Sequence, residues 1–209
     1  MNQLPQGEKN IKSLTKLLLI AAILTNYCMA ESRPNNETRF NNTKWPEYSN
    51  HQLEVRQFAP NSTYSVCFVP NGASCEKLLV HAIDESKHSI HIQAYSFTNS
   101  RIAEAIVRAF KRGVDVQVIL DKSQFSDKYS SATFLKSIGI IVVADLKPAI
   151  AHNKVMIFDR QSVFTGSFNF TRSAQDRNAE NGILISGDLE LAKLYTENWK
   201  ARFIQSTPY

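Results

Sequence analysis

From Tyr64 onward, short apolar runs alternate with stripes of helical period. That rhythm restricts the chain to a layered α/β architecture. Ser65 to Val69 reads as a strand, and Leu78, Leu79, Ala82 and Ile83 form an apolar helix stripe. Ser89 to Tyr95 is a second strand. Ile102, Ala105, Ile106, Ala109 and Phe110 line one face of the next helix, and Gly113 suits its end. Val114, Val116 and Val118 alternate into Ile119-Leu120, a third strand. Residues 130–138 predict a short helix stopped at Gly139, and Ile140 to Val143 a fourth strand. Strands linked by helices pair in parallel through right-handed crossovers. The last third departs from this rhythm. Lys154 to Phe158 and Ser162 to Thr165 are strands joined by Asp159-Arg160-Gln161, a hairpin connection, and Gly182 to Ile185 is another strand. Asp188 is placed to cap a final helix carrying Leu191, Leu194, Tyr195, Trp199 and Phe203. The expected fold class is α/β: a mixed, partly parallel β-sheet flanked by helices on both faces, with no internal repeat.

The N-terminus has a different composition. Lys9, Lys12 and Lys16 precede the apolar run Leu17 to Leu24, and Cys28-Met29-Ala30 offers small residues for cleavage. That order predicts a secretory signal peptide over residues 1–30. The apolar run is short for a transmembrane helix, which leaves an uncleaved anchor as the alternative. Residues flanking Cys28 lack the pattern of a lipoprotein. Residues 31–60 are rich in Asn, Glu, Arg and Pro and read as a flexible leader. The folded domain is expected over 61–209.

The chain carries a formal charge of +5, and removing Lys9, Lys12, Lys16 and Glu8 with the signal lowers it to +3. Mild basicity permits a polyanionic partner without requiring one. Export would also remove Cys28 and leave Cys67 and Cys75, flanking the turn Pro70-Asn71-Gly72. In an oxidising compartment they either form a disulfide across that turn or stay as two thiols. Two cysteines are too few for a four-ligand structural zinc site.

The chemistry concentrates in His152-Asn153-Lys154, followed by Asp159 and by Gly166-Ser167-Phe168-Asn169. Residues two apart on a strand point to one face. An imidazole can attack phosphorus or carry a proton, and an ammonium can neutralise phosphate oxygens. The string His-x-Lys, four residues, Asp, six residues, Gly-Ser and Asn resembles the signature of the phospholipase D superfamily. Ala94-Tyr95-Ser96-Phe97-Thr98, Arg112-Gly113-Val114-Asp115-Val116, Thr165 to Thr171 and Asn178-Ala179-Glu180-Asn181 are similar to its small, single-motif bacterial endonucleases, the Nuc-like branch. The similarity runs from about Tyr64 to Phe203.

The resemblance implies a phospholipase D-like α/β/α sandwich and a phosphodiester hydrolase. It makes His152 the nucleophile that forms a phosphohistidine. Lys154 and Asn169 would bind non-bridging phosphate oxygens, and Ser167 would support the phosphate or the lysine from the same turn. Glu180 would hydrogen-bond the other imidazole nitrogen, fixing its tautomer. Asp159 and Gly166 are expected to be structural, Asp159 because it falls at the far end of the strand. No metal and no cofactor is expected, since lysines and a histidine supply what a metal would. Two histidines are needed and one motif is present, so two chains are expected to share one site as a homodimer.

The substrate expected first is DNA, with RNA a further candidate, cut without sequence preference. The rival reading is a phospholipase D acting on phosphatidylcholine-type lipids. For that reading Leu146-Lys147-Pro148-Ala149-Ile150-Ala151 would line an acyl-accommodating mouth, although a buried loop would look the same. A third reading, a non-catalytic DNA- or membrane-binding module, conflicts with the intact motif. The sequon Asn169-Phe170-Thr171 at the site favours a bacterial periplasm or secreted fraction over passage through an endoplasmic reticulum.

The other histidines carry less. His51 falls in the leader, and His81, His88 and His91 fit no metal-ligand spacing. Tyr95 is expected where a strand meets the site, either to stack on a base or to fill the core. Lys122, Lys128, Lys147, Arg172 and Arg177 lie near strand ends, as phosphate contacts or as solvated surface charges. No Walker loop, nucleophile elbow or His-Glu-x-x-His is present, and no carboxylate cluster suggests two-metal phosphoryl transfer.

Overall fold

The computed structural model describes residues 55–209. The expected signal segment, His51 and the leader up to residue 54 lie outside the described residues. The strands are β1 (Thr63–Val69), β2 (Ser89–Ala94), β3 (Asp115–Asp121), β4 (Ile141–Asp145), β5 (Lys154–Phe158), β6 (Ser162–Gly166), β7 (Glu180–Ser186) and β8 (Thr207–Pro208). They form one sheet in the order β1-β7-β6-β5-β2-β3-β4-β8. β2, β3 and β4 pair in parallel, and every other pairing is antiparallel. The sheet is therefore mixed and partly parallel, as the rhythm of the chain predicts.

The helices are α1 (Cys75–Glu85), α2 (Ser100–Lys111), α3 (Ala132–Ser137), α4 (Arg172–Asp176) and α5 (Leu189–Gln205). The apolar stripe of α2 buries Ile102, Ala105, Ile106 and Ala109. With Leu79 and Ile83 of α1 it joins Ile90, Ile92, Val116, Val118, Met156 and Phe164 in the larger core. On the opposite face α5 lays Ala192 and Trp199 over Ile119, Val143, Val155, Ile157 and Val163. Strand alternation explains the split, since neighbours such as Met156 and Ile157 point to opposite faces. Each long helix has a side-chain N-cap, of which Asp188 is the one expected from the sequence. Ser74 accepts from Lys77 N–H, Asn99 from Arg101 and Ile102 N–H, and Asp188 from Leu191 N–H.

β1 departs from the expected order. The β-α-β reading pairs it with β2. Instead it crosses three strands and closes the far edge against β7, with Thr63 opposite Ser186 and Val69 opposite Glu180. Its inward side chains, Cys67 and Val69, join the larger core. Its other face, Tyr64, Val66 and Phe68, is exposed. Cys67 and Cys75 are joined by a disulfide that ties β1 to the start of α1. Ala59 N–H donates to Asp188 at 3.0 Å, and Arg56 pairs with Glu190, so residues just before β1 touch the start of α5. α4, the short 3-10 helix Lys122–Phe125 and β8 are additions that hydrophobic periodicity does not mark.

His91 is buried, stacked on Trp199 at 4.2 Å between ring centroids, while His81 and His88 are exposed. Burial pushes the His91 imidazole below its ordinary value, with Asp115 acting against that shift. Among the described residues no group of three or more His, Cys, Asp or Glu is placed to hold a metal ion.

Asp159 closes the β5–β6 hairpin. Asp159 and Arg160 both have positive φ, and Gln161 N–H returns to the Phe158 carbonyl at 2.9 Å, which makes a two-residue primed turn. The Asp159 carboxylate accepts from three backbone N–H groups: Lys87 at 2.9 Å, His88 at 2.7 Å and Ser89 at 2.9 Å. Burial alone would raise its pKa. Those three donors outweigh burial and hold it below the ordinary carboxylate value. The turn lies about 17 Å along the strand from Lys154 at roughly 3.4 Å per residue. Asp159→Ala should therefore cost about 2–4 kcal/mol in urea unfolding through lost charge-assisted bonds and left-handed backbone strain. Turnover per folded molecule should stay near normal. A stable but inactive Asp159→Ala protein would contradict a purely structural role.

Candidate active site

Antiparallel pairing gathers the candidate residues at one end of the sheet. β5 begins at Lys154, opposite Ala94 at the end of β2. β6 ends at Gly166, opposite Gly182 near the start of β7. Tyr95, His152, Lys154, Ser167 and Glu180 therefore leave four adjacent strands at the same edge. This convergence comes from chain direction, because two of the strands start there and two finish there.

His152 is exposed and stands just outside β5, held in line by Tyr95 N–H donating to the Asn153 carbonyl at 2.9 Å. Lys154 is its opposite in burial, with 8% of its surface exposed. The Lys154 ammonium donates to the His152 carbonyl at 2.9 Å. It also lies 3.2 Å from Nδ1 and 3.3 Å from Nε2 of the same residue. Burial lowers the Lys154 pKa, and the Glu180 carboxylate partly restores it. The positive charge is thus held beside the imidazole within a partly desolvated shell, where it acts more strongly on an anion than it would in water. Tyr95 packs on both groups. Its ring lies 4.4 Å from the imidazole, tilted by 54°, and 5.2 Å from the Lys154 nitrogen. Of the two roles open to Tyr95 in the sequence, the core role falls to its neighbour Phe97, which is fully buried.

Gly166 shapes the approach from β6. Its φ is +150°, and a Cβ there would collide with the Asn181 carbonyl oxygen and crowd Gly182. Glycine lets β6 and β7 close together at the point where the chain turns into Ser167. Ser167 and Phe168 N–H both donate to the Asn181 carbonyl, at 3.1 and 3.2 Å. The Asn169 amide oxygen is buried and has no hydrogen-bond partner among the described residues. A buried polar atom without a partner is uncommon, and it marks this turn as a place that can take a polar ligand.

Two expected contacts are not made among the described residues. The Ser167 hydroxyl does not contact Lys154. It accepts from Asn181, from the backbone N–H at 3.1 Å and the amide nitrogen at 3.4 Å. β7 lies directly against β6, whereas β5 lies on its other side. Glu180 makes no hydrogen bond to His152 within the chain; its carboxylate accepts from Asn178 at 3.0 Å. Glu180 lies two strands away from β5, so it reaches the site as a charge acting on Lys154. Asn181 and Tyr95 are the residues whose site contacts sequence reasoning did not specify. The signal for Asn181 was its place beside Glu180 in the motif string.

Known proteins share the family and the fold of this chain. Residues 79–202, more than half of the chain, match the family model for the cardiolipin synthase, PLD-like domain. A phospholipase D of Rickettsia prowazekii is 43% identical over 167 residues, which cover 79% of this chain and 80% of the relative. The solved structure of Nuc, a phospholipase D family member from Salmonella typhimurium, superposes with a TM-score of 0.68 at 38% identity. That match covers 71% of this chain and 98% of Nuc. NucT from Helicobacter pylori gives a TM-score of 0.65 at 25% identity, over 71% of this chain and 99% of NucT. A mixed sheet with helices on both faces, one His-x-Lys pair at its edge and these relatives make the chain a phosphodiester hydrolase of the phospholipase D superfamily, in the Nuc-like branch.

Proposed function

We propose that the chain is an exported, metal-independent endonuclease that hydrolyses DNA through a phosphohistidine in a site shared by two subunits. The observation that carries the chemistry is the contact of the buried Lys154 ammonium with the exposed His152 imidazole. An accessible ring nitrogen can reach phosphorus, while the adjacent ammonium meets the charge that develops on the non-bridging oxygens. One His152 attacks, the phosphorus–oxygen bond to the leaving alcohol breaks, and a second imidazole protonates that oxygen. Water then attacks the phosphohistidine and gives its proton to the second imidazole, which frees the first. Asn169 is the second phosphate ligand. Ser167 acts through Asn181 as a positioning residue. Glu180 is the acidic partner of an imidazole, its own or that of the second copy.

The second copy would supply the second imidazole. The uncovered apolar face of β1, carrying Tyr64, Val66 and Phe68, supports self-association. The strand beside β1 begins at Glu180, on the site edge. Export is proposed from the order of Lys9, Lys12, Lys16 and Leu17 to Leu24, with the periplasm or the medium as destination and the mature chain beginning near Glu31.

A second reading, a phospholipase D acting on phosphatidylcholine-type lipids, is favoured by the name of the Rickettsia relative, phospholipase D. One panel separates the two. Purified protein in EDTA is given closed-circular DNA, RNA and phosphatidylcholine vesicles. The nuclease reading expects nicked and linear DNA in EDTA, with binding that weakens as salt rises because displaced counterions drive it. Vesicle hydrolysis far faster than DNA cleavage under matched conditions selects the lipid reading. Loss of all activity in EDTA, restored by a divalent ion, rejects metal independence.

A further inference from the structure

The loops that follow β3 and β4 leave the same edge of the sheet as the active site. Asp121 and Asp145 are register partners at the ends of those two parallel strands, so residues 122 and 146 emerge side by side. The loop over residues 146–153 is tied at both ends. Asp145 accepts from Lys147 N–H at 3.2 Å, and Asp121 accepts from Ala151 N–H at 2.7 Å. Within this pinned loop Leu146 is 44% exposed and Ile150 57% exposed. The apolar run that could have been buried is thus presented to solvent, immediately before His152.

The neighbouring loop adds matching groups. Phe125 is 41% and Tyr129 70% exposed. Phe125 is held edge-on against Tyr209 at 4.8 Å, and the Lys128 ammonium lies over the Tyr129 ring at 4.7 Å. Across residues 122–131 and 146–153 there are three lysines, Lys122, Lys128 and Lys147, all exposed, and one carboxylate, Asp127. The rim is therefore apolar at its tips and positive around them.

We propose that this rim docks the enzyme on an anionic phospholipid bilayer, with Leu146 and Ile150 entering the interface and Lys122 and Lys147 among the headgroups. Exposed aliphatic side chains decide between the polyanions. A nucleic acid is held by cations and by aromatic faces that stack on bases, and leucine and isoleucine offer it neither. A bilayer takes aliphatic tips, aromatic rings at the headgroup level and lysines beside anionic lipid. The inference goes beyond the reaction assigned above. It concerns where the enzyme rests and leaves open which diester it cuts, so binding is measured apart from turnover.

The test uses the full chain carrying His152→Asn, so that vesicles are not consumed. Sedimentation is measured with vesicles of phosphatidylglycerol and phosphatidylcholine, and with phosphatidylcholine alone. Leu146→Ser/Ile150→Ser should lower partitioning to the mixed vesicles at least about tenfold. Lys122→Ser/Lys147→Ser should lower it several-fold and only where phosphatidylglycerol is present. In an otherwise wild-type chain, Leu146→Ser/Ile150→Ser should leave the melting temperature and the hydrolysis of soluble bis(p-nitrophenyl) phosphate unchanged. Residues 1–54 are common to every variant, so their own affinity for lipid cancels. Unchanged partitioning of both variants overturns the proposal. So does a Leu146→Ser/Ile150→Ser protein that loses oligonucleotide binding while keeping vesicle binding, which makes the rim a nucleic-acid track. A variant that dissociates in sedimentation velocity also overturns it, because the rim would then be an interface between copies.

Discussion

Changing His152 to Asn should lower hydrolysis of any phosphodiester by several orders of magnitude, because among the described residues no other imidazole stands at the site edge of the sheet. Asparagine keeps a polar side chain of similar size but cannot form the covalent intermediate. Lys154→Ala should cost about 10²-fold or more in kcat, the scale of losing a donor aimed at developing oxyanion charge. The two losses differ in kind. The lysine variant should still trap radiolabelled phosphate on His152 in an acid-quenched reaction, more slowly, whereas the asparagine variant should trap none. Fold is controlled by unfolding in urea. Lys154 is nearly buried and its hydrogen bonds among the described residues are with His152, so its removal should leave the sheet intact. Near-normal turnover by the His152→Asn protein would falsify the assignment outright.

Much of this edge was legible in the sequence because it depends on local rules. Strand alternation puts His152 and Lys154 on one side, and their contact at 3.2–3.3 Å needs nothing more distant. The Asp159 turn declares itself through a break between two apolar runs, and its remoteness from Lys154 follows from strand length. What was not legible depends on which strands become neighbours. Nothing in Ser65 to Val69 reveals that this strand bypasses β2 and pairs with β7, since its inward residues, Cys67 and Val69, would suit either position. That choice is made by the whole sheet, through the core it shares with α1 and the disulfide to Cys75.

The same limit explains the two contacts that differ at the candidate site. Ser167 bonds Asn181 because β6 and β7 are paired, and no spacing rule links residues 14 apart in sequence. The motif string supplied the members of the site, while the strand order supplied their contacts. Glu180 shows this most clearly. It falls on the same edge, yet β6 separates its strand from β5, and its carboxylate turns to Asn178. Tyr95 is the converse case. Its position at the end of β2 was predictable, but its choice between core and site depended on Phe97 filling the core instead.

Counting proton carriers leads to the composite site and to its test. Forming a phosphohistidine uses one imidazole as nucleophile. The departing alkoxide is strongly basic, so an acid must protonate it as the bond breaks. Within the chain the other described histidines are badly placed for that task. His91 is buried under Trp199, His88 sits beside the Asp159 turn at the opposite end of β2, and His81 lies exposed on α1. A second His152 related by a two-fold axis supplies the acid with no further sequence, because a two-fold interface is self-complementary. Mixing wild-type chains with His152→Asn chains under conditions of proven subunit exchange should then lower activity per wild-type chain steadily as the mutant fraction rises. Each mixed pair keeps either its nucleophile or its acid, never both. Independent sites would instead keep activity per wild-type chain constant at every ratio. Sedimentation should find a dimer at the concentrations used for assay, and dilution below its dissociation constant should lower specific activity in step with the loss of dimer. A monomer with full specific activity, or a mutant chain that exchanges without suppressing turnover, would leave the second proton to be supplied from within one chain.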